Sequence, residues 1–214
     1  MIAPAANRRP QEGPAGRQPA ARKRARAGQA ARPRGYAAGM TAPKTTPLIR
    51  PVRPEEYDRL GELTVAAYHS LPAAMPHQTI YDERLRDVTT RARTSCVLVA
   101  LGVAGEILGG VTYVSGPDDP YSEGLREDEA GIRMLAVEPA VQGRGVGRAL
   151  TMACIERAGA VGRRRIVLHT GDSMAAAKHL YESLGFRRET GIDFSPAPGI
   201  HLIGYAFELG ETAP

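Results

Sequence analysis

Three glycines at alternate positions, Gly143, Gly145 and Gly147, stand between an apolar run and a stretch of helical periodicity, and they constrain the fold more than any other feature of the chain. Ile132-Arg133-Met134-Leu135-Ala136-Val137 is a strand by composition. Val146, Leu150 and Cys154, with Ala149 and Ala153, recur at helical spacing and predict a helix from about Gly147 to Ala158 with one packed face. Glycine lets the intervening backbone turn tightly and approach a ligand with no Cβ in the way. The free N–H groups of a helix's first turn, with its dipole, favour phosphate. Arg144 and Arg148 add positive charge there. The strand–loop–helix unit therefore predicts a ligand bearing a diphosphate. It is not a P-loop, because no Gly-Lys-Ser/Thr follows, and Arg148 stands where a dinucleotide fingerprint needs its last glycine. The acid expected some twenty residues further on in such a fold is also poorly matched, with Leu168 and Asp172 in that region.

The remaining pattern predicts a mixed α/β domain over residues 46–210. Residues 48–52 form a short strand, placed at an edge by Pro51. A helix starts at Pro54-Glu55-Glu56 and runs to about His69, residues 70–80 form a loop, and a second helix covers Tyr81 to Arg93. The runs 96–101 and 107–114, joined by a turn at Gly105-Glu106, must be antiparallel. An acidic loop at 116–129 precedes the 132–137 strand. Residues 166–169 form the next strand, and Ser173 caps a helix reaching Leu184, with Gly185 in the usual post-helix place. Two strands follow, one from Phe186 and one over 201–207. A helical crossover makes the 132–137 and 165–170 strands parallel. The expected architecture is a mostly antiparallel twisted sheet with a central parallel pair and helices on both faces.

The net charge of +5 is unevenly distributed. Residues 1–39 hold nine Lys or Arg residues against one acid, Glu12, so the remainder carries 19 basic and 22 acidic residues. The basicity belongs to the N-terminal segment, and charge gives no reason to assign nucleic-acid binding to the folded domain. Residues 1–45 are rich in Ala, Pro, Gly and Arg, with too few large apolar side chains to offset the entropy of ordering, and are expected to be disordered. Three readings stay open for them: a solvated tail, a polyanion contact, or a stretch upstream of a true start at Met40. No apolar run approaches the roughly 18–20 residues needed to span a bilayer, and the first twenty residues lack the apolar core of a secretory signal. Cys96 and Cys154 sit among apolar neighbours, without the spacing of a metal site. A reducing, cytoplasmic protein with no metal is expected.

Gln142-Gly143-Arg144-Gly145-Val146-Gly147 matches a Q/R-x-x-G-x-G/A signature, and Ala177-x-x-Leu180-Tyr181-Glu182-Ser183-Leu184-Gly185-Phe186 matches a second landmark. On these two motifs and the element order, residues 47–209 resemble the GNAT superfamily of N-acetyltransferases. The resemblance implies acetyl-CoA as cosubstrate and transfer of its acetyl group to a primary amine of a small molecule or a peptide. It implies that Leu135 and Val137 meet the pantetheine arm like an added strand, in an opening made by a bulge. The N–H near Val137 or Ala136 would stabilise an oxyanion, and the amides from Gln142 to Arg148, including Val146, would hold the pyrophosphate. Tyr181 would be the general acid that protonates the thiolate. Relatives' last strands often meet a partner, which points to a homodimer.

The general base is less defined. The family often carries Glu two residues before the Arg of this strand, where this chain has Gly131. Glu129 lies two further back, on the same face if the strand extends that far. Glu129 acting through a water, an amine arriving already deprotonated, and His169 at a strand end remain alternatives; His179 is expected to be solvated. Met174 replaces an Asn found seven residues before the tyrosine in many relatives. The acids between Asp118 and Glu129 could attract a cationic acceptor such as a polyamine, an aminoglycoside or a protein N-terminus, and residues 70–80 and 191–200 could line its pocket. A non-catalytic acyl-CoA-binding or sensing domain is the rival reading.

Overall fold

The computed structural model describes residues 46–71, 78–197 and 199–210. The expected tail at 1–45, with Met40, lies outside them, as do residues 72–77 of the expected loop and residue 198. Strands β1 (Leu48–Pro51), β2 (Cys96–Leu101), β3 (Ile107–Val114), β4 (Glu129–Val137), β5 (Arg165–Gly171), β6 (Arg187–Arg188), β7 (Phe194–Ala197) and β8 (Ile200–Glu208) form one sheet. The order is β1-β2-β3-β4-β5-β8-β6, with β7 also paired to β8. Every pairing is antiparallel except β4 with β5, so the mixed sheet with one central parallel pair is as expected.

Helices α1 (Tyr57–His69), α2 (Gln78–Arg86), α3 (Val88–Thr94), α4 (Val146–Ala160) and α5 (Ala175–Ser183) cover both faces. The unbroken apolar run of β2 follows from this. Leu98 and Ala100 pack in the cluster with Val146, Leu150, Cys154 and Ala158 of α4, one helical face at i, i+4 spacing. Val97, Val99 and Leu101 turn the other way, onto Leu60 of α1 and Val88 of α3. A strand buried on both sides has no polar side to show.

Several expectations are corrected. The helix expected over 81–93 is two, because the Asp87 carboxylate accepts a hydrogen bond from the Thr90 N–H at 2.9 Å and starts a new helix. Met174, not Ser173, is the first boundary residue of α5, and no side chain caps it. Three strands, not two, follow α5. Glu129 belongs to β4 and not to the preceding loop. The end of α5 is as expected: the Phe186 N–H donates to the Tyr181 carbonyl and the Gly185 N–H to the Glu182 carbonyl, both at 3.0 Å, with Gly185 at φ +96°. Phe186 is thereby fixed against Tyr181, their ring centroids 5.7 Å apart.

Gly185→Ala places a Cβ in the left-handed region and 3.3 Å from the Phe207 ring. It is expected to destabilise the protein by about 1–2 kcal/mol, read as a lower urea midpoint at unchanged m-value.

Candidate functional site

β4 and β5 pair over only four residues, Glu129↔Arg165 to Ile132↔Leu168, although β4 continues to Val137 and β5 to Gly171. Beyond Ile132 the two strands part. The cause lies on the other side of β4. Thr112 faces Arg133 and Gly110 faces Ala136, so Met134 and Leu135 together oppose Val111 alone. This is a β-bulge, and Met134 takes φ +50° within it.

The ladder with β3 also decides which backbone groups face the opening. The Glu138 N–H donates to the Leu108 carbonyl at 2.9 Å, making 108 and 138 a hydrogen-bonded pair. Such pairs alternate along an antiparallel ladder, so Ala136 is spent on Gly110 while Val137, opposite Gly109, turns its N–H away from β3. The Leu135 carbonyl, trans to the Ala136 N–H across one planar peptide, also turns away from β3. Of the two oxyanion donors expected, Val137 faces the gap and Ala136 does not.

The glycine loop leads from this edge into α4. Gly143 and Gly145 have φ +75° and +89°, and a Cβ on either would meet nothing within 4 Å. Their requirement is conformational, and the surface above them is open. No side chain caps α4, whose boundary residue is Gly145. Among the described residues, the amides of Gly143 and of Gly145 to Arg148 have no backbone partner outside the helix ladder. Gly147 serves differently: a Cβ there would lie 3.2 Å from Leu180, 3.6 Å from Val137 and 3.7 Å from Leu135, so its smallness lets the first turn of α4 approach β4 and α5. The Gln142 side chain donates to the Val137 carbonyl at 3.4 Å, tying the loop to the strand end. Arg144 and Arg148 are exposed, with no ion pair among the described residues. They line a groove of about 810 Å³ between α4 and β1.

Where β4 and β5 part there is a small pocket of about 100 Å³. Its walls include Met134 and Leu135 of β4, His169 to Gly171 of β5, Met174, and Tyr68 and Tyr81 from α1 and α2. Tyr181 of α5 lines it and is 6% exposed. Burial pushes the Tyr181 phenol well above its ordinary range, so it is protonated at neutral pH.

The carboxylate at this pocket is Glu123, not Glu129. Glu129 is buried at the far end of β4. It accepts from the Arg126 N–H at 3.0 Å, pairs with the Arg126 guanidinium at 2.8 Å and lies 3.5 Å from that of Arg165. Its surroundings make it a brace for the turn into β4, and it does not line the pocket. Glu123 holds φ +52°, uncommon for a residue with a side chain. Arg133 explains how it is held. This buried guanidinium donates to the carbonyls of Tyr121, Ser122 and Ile132, and its Nε lies 2.8 Å from Glu123 Oε2. Arg133 also folds back across Gly131, where an added Cβ would lie 3.0 Å from its Nη1. The position where relatives often carry Glu is thus covered by an arginine that anchors a different Glu.

Burial raises the affinity of Glu123 for a proton, but the neighbouring His169 and the charges of Arg133 and Arg84 outweigh it, and the carboxyl sits below its ordinary range. His169 Nδ1 lies 3.7 Å from Glu123 Oε2. Of the acids of the 118–129 stretch, Glu123 is the one that lines the pocket. Asp119 accepts from the Ser95 hydroxyl and the Tyr121 N–H, and the backbone carbonyls of Glu127 and Asp128 accept from Arg163 and the Arg164 N–H. His179 lies on α5 and is not in the pocket. Met174 is: its sulfur accepts from the Thr170 hydroxyl and the Gly171 N–H at 3.4 Å each, closing the end of β5. Tyr68 and Tyr81 are pocket residues that sequence reasoning does not single out, and Glu123 stands out there only as one of the acids between Asp118 and Glu129.

Among the described residues no helix is long and apolar enough to cross a membrane. Residues 58–186 match the model of the acetyltransferase (GNAT) family. A curated mycothiol acetyltransferase of Cellulomonas flavigena is 35% identical over 108 residues, which are 46% of this chain and 31% of that protein. An N-acetylaspartate synthetase of Danio rerio is 34% identical over 106 residues, 50% of this chain and 34% of that one. The chain thus matches about a third of the length of these relatives. An acetyltransferase of Salmonella typhimurium, solved with its cofactor acetyl-CoA, has the same fold with TM-score 0.57 and 22% identity, covering 79% of this chain and 98% of its own. A Staphylococcus aureus acetyltransferase of the GNAT family aligns with TM-score 0.61 at 14% identity, over 76% of this chain and 99% of its own.

Because the Glu123 carboxyl is held below its ordinary range in the folded protein, it contributes stability that is present above about pH 4.3, its unfolded value, and is lost as pH falls through the lowered folded value. The gap in melting temperature between the native chain and Glu123→Gln is therefore expected to be wide at pH 7 and to narrow as pH is taken from 4.5 to 3.

Proposed function

Since this chain belongs to the acetyltransferase (GNAT) family, we propose that it moves an acetyl group from acetyl-CoA to a primary amine of a small molecule or a protein, by direct attack in a ternary complex. The observation that carries this reading is the parted edge of β4 and β5, with unpaired backbone groups on one side, the glycine loop at its end and Tyr181 beside it.

Each part has a task. Of the amides from Gln142 to Arg148, those of Gly143 and of Gly145 to Arg148 are free to hold the pyrophosphate at the N-terminus of α4, and Arg144 and Arg148 supply charge at the rim. Leu135 and Val137 accept the pantetheine arm as an added strand along the β4 edge. The amine nitrogen attacks the thioester carbon, and its lone pair becomes the new N–C bond. The carbonyl electrons move to oxygen, where the Val137 N–H stabilises the charge. Ala136 is not assigned this role, its N–H being directed to β3. As the intermediate collapses, the C–S bond breaks and Tyr181 gives its proton to the departing sulfur. The proton shed by the amine goes to Glu123, the carboxylate that lines the pocket, and not to Glu129 at the far end of β4. One proton leaves the nitrogen and one reaches the sulfur, so the exchange balances.

Relatives are named a mycothiol acetyltransferase and an N-acetylaspartate synthetase. Both names are compatible with a small-molecule amine, and the acceptor for this chain is proposed at that level. The two free cysteines suit a reducing, cytoplasmic setting.

The test is incubation of the full chain with acetyl-CoA and a panel of amines while free thiol is followed. Turnover of at least one amine supports the enzyme; tight acetyl-CoA binding without turnover of any amine would favour a sensing domain. With an acceptor in hand, Tyr181→Phe is expected to lower kcat by about 100-fold or more with acetyl-CoA affinity unchanged. Normal kcat in that variant would remove Tyr181 from the role.

A further inference from the structure

α4 buries one face and leaves the opposite one without a partner. Val146, Leu150, Cys154 and Ala158 enter the core, while Met152 is 37% exposed and Val161, just past the helix end, 58%. Ala149 and Ala153 flank Met152 and leave the groove between the helix and β1, which Ile49 and Leu98 also line. A helix that shows large apolar side chains to water beside small ones offers a surface on which a second helix can lie close.

The edge of β1 is closed to an added strand. The Val52 N–H donates to the Val97 carbonyl at 3.0 Å, so by the alternation of an antiparallel ladder Leu48 and Arg50 bond to β2, and Pro47, Ile49 and Pro51 turn outward. The two prolines have no N–H to give, and the Pro51 carbonyl already accepts from the Arg50 guanidinium at 2.9 Å. An occupant of the groove therefore packs on side chains. Charge narrows its kind. Arg144, Arg148 and Glu156 all line the groove, all are exposed, and none has an ion pair among the described residues. Residues 1–39 hold nine Lys or Arg against one acid and would bring cations to Arg144 and Arg148. A purely acidic partner would meet Glu156. The complement is a surface that carries both signs in the reverse order.

α4 is itself such a surface. Arg148, Met152 and Glu156 recur at i, i+4 spacing on its outer face as cation, apolar side chain and anion. Eight residues of helix separate the two charges by about 12 Å, too far to pair within one chain. A second α4 laid antiparallel about a two-fold axis at Met152 sets each residue opposite the one equally far from Met152 in the other copy. Arg148 then meets the partner's Glu156, and Glu156 meets the partner's Arg148. Arg144 comes to the C-terminal end of the partner's α4, where a cation is favoured. Arg157 stays out of the seam, its guanidinium turned over the Tyr113 ring at 6.0 Å from the centroid. We propose that a second copy of this chain docks on the groove between α4 and β1, through antiparallel contact of the two α4 helices centred on Met152. A guanidinium has five N–H donors, so pairing with a carboxylate leaves Arg148 able to serve the phosphate rim as well. The contact is independent of the acetyl-transfer chemistry, and it lies on α4 and not on the last strands.

The experiment is sedimentation velocity on the full chain across a dilution series. A concentration-dependent dimer is expected. Met152→Asp sets two carboxylates face to face at the axis and is expected to leave a monomer throughout. Arg148→Glu and Glu156→Arg each turn two attractive contacts into two repulsive ones, and each is expected to raise the dimer dissociation constant by about 10-fold or more. The double variant exchanges the charges, restores the match and is expected to return to within about threefold of the native value. All three side chains are exposed on the single chain, so the variants are expected to keep the fold, which circular dichroism checks. A native chain that is monomeric at every concentration overturns the proposal. So does a dimer that survives Met152→Asp, which would place the contact elsewhere, and so does a double variant no better than either single one.

Discussion

The bulge at Met134 and Leu135 is the constraint on which the site depends. A sheet of this size would ordinarily zip each strand to its neighbour along its length. Here one extra residue on β4 shifts the β3 ladder locally, the pairing resuming on either side, while β4 turns away from β5 after four pairs. Each backbone hydrogen bond forgone costs roughly 1 kcal/mol net, so the opening is tolerated only because packing compensates nearby. Leu150, Cys154 and Ala158 of α4 bury themselves against Ile132, Ile166 and Leu168, at the part of the seam that is closed. The opening is therefore rigid at its base and unpaired at its mouth, as a cleft that must accept an extended arm should be.

Arg133 is the second organiser. A buried guanidinium is costly unless all its donors are used, and here they meet the carbonyls of a loop that would otherwise have little reason to hold its shape. That loop brings Glu123 to the pocket. One residue of β4 thereby closes the surface over Gly131, pins residues 121–123 and supplies the counter-charge for a carboxylate held in a left-handed backbone conformation.

The sequence exposed the parts of this molecule whose signals are local. The apolar runs of β2 and β3, the i, i+4 face of α4, the paired glycines at 143 and 145 and the Tyr181–Phe186 helix end all follow from periodicity or backbone conformation, and they appear in place. What could not be read depended on partners distant in the chain. Asp87 looks like any polar residue within a helical stretch until its carboxylate is seen to start a new turn. Glu123 and Glu129 are two acids in one acid-rich segment, and only the fold of Arg133 and Arg126 around them separates a pocket carboxylate from a structural brace. The choice between Val137 and Ala136 required the phase of the β3 ladder, which is set by the bulge and is invisible in a run of apolar residues.

The four-residue seam between β4 and β5 has a consequence for how the chain finds its fold. β2, β3 and β4 form a meander of near neighbours, and β5 to β8 lie close together in the chain, but the two halves meet in the sheet only through pairs that the whole of α4 separates in sequence. Contacts of short sequence separation are entropically cheap to form early, and a parallel seam across a crossover is slow. Each half can therefore organise ahead of the join. The cleft lies along the boundary between two folding units, and the unpaired edge that serves the ligand is the stretch along which they never needed to meet.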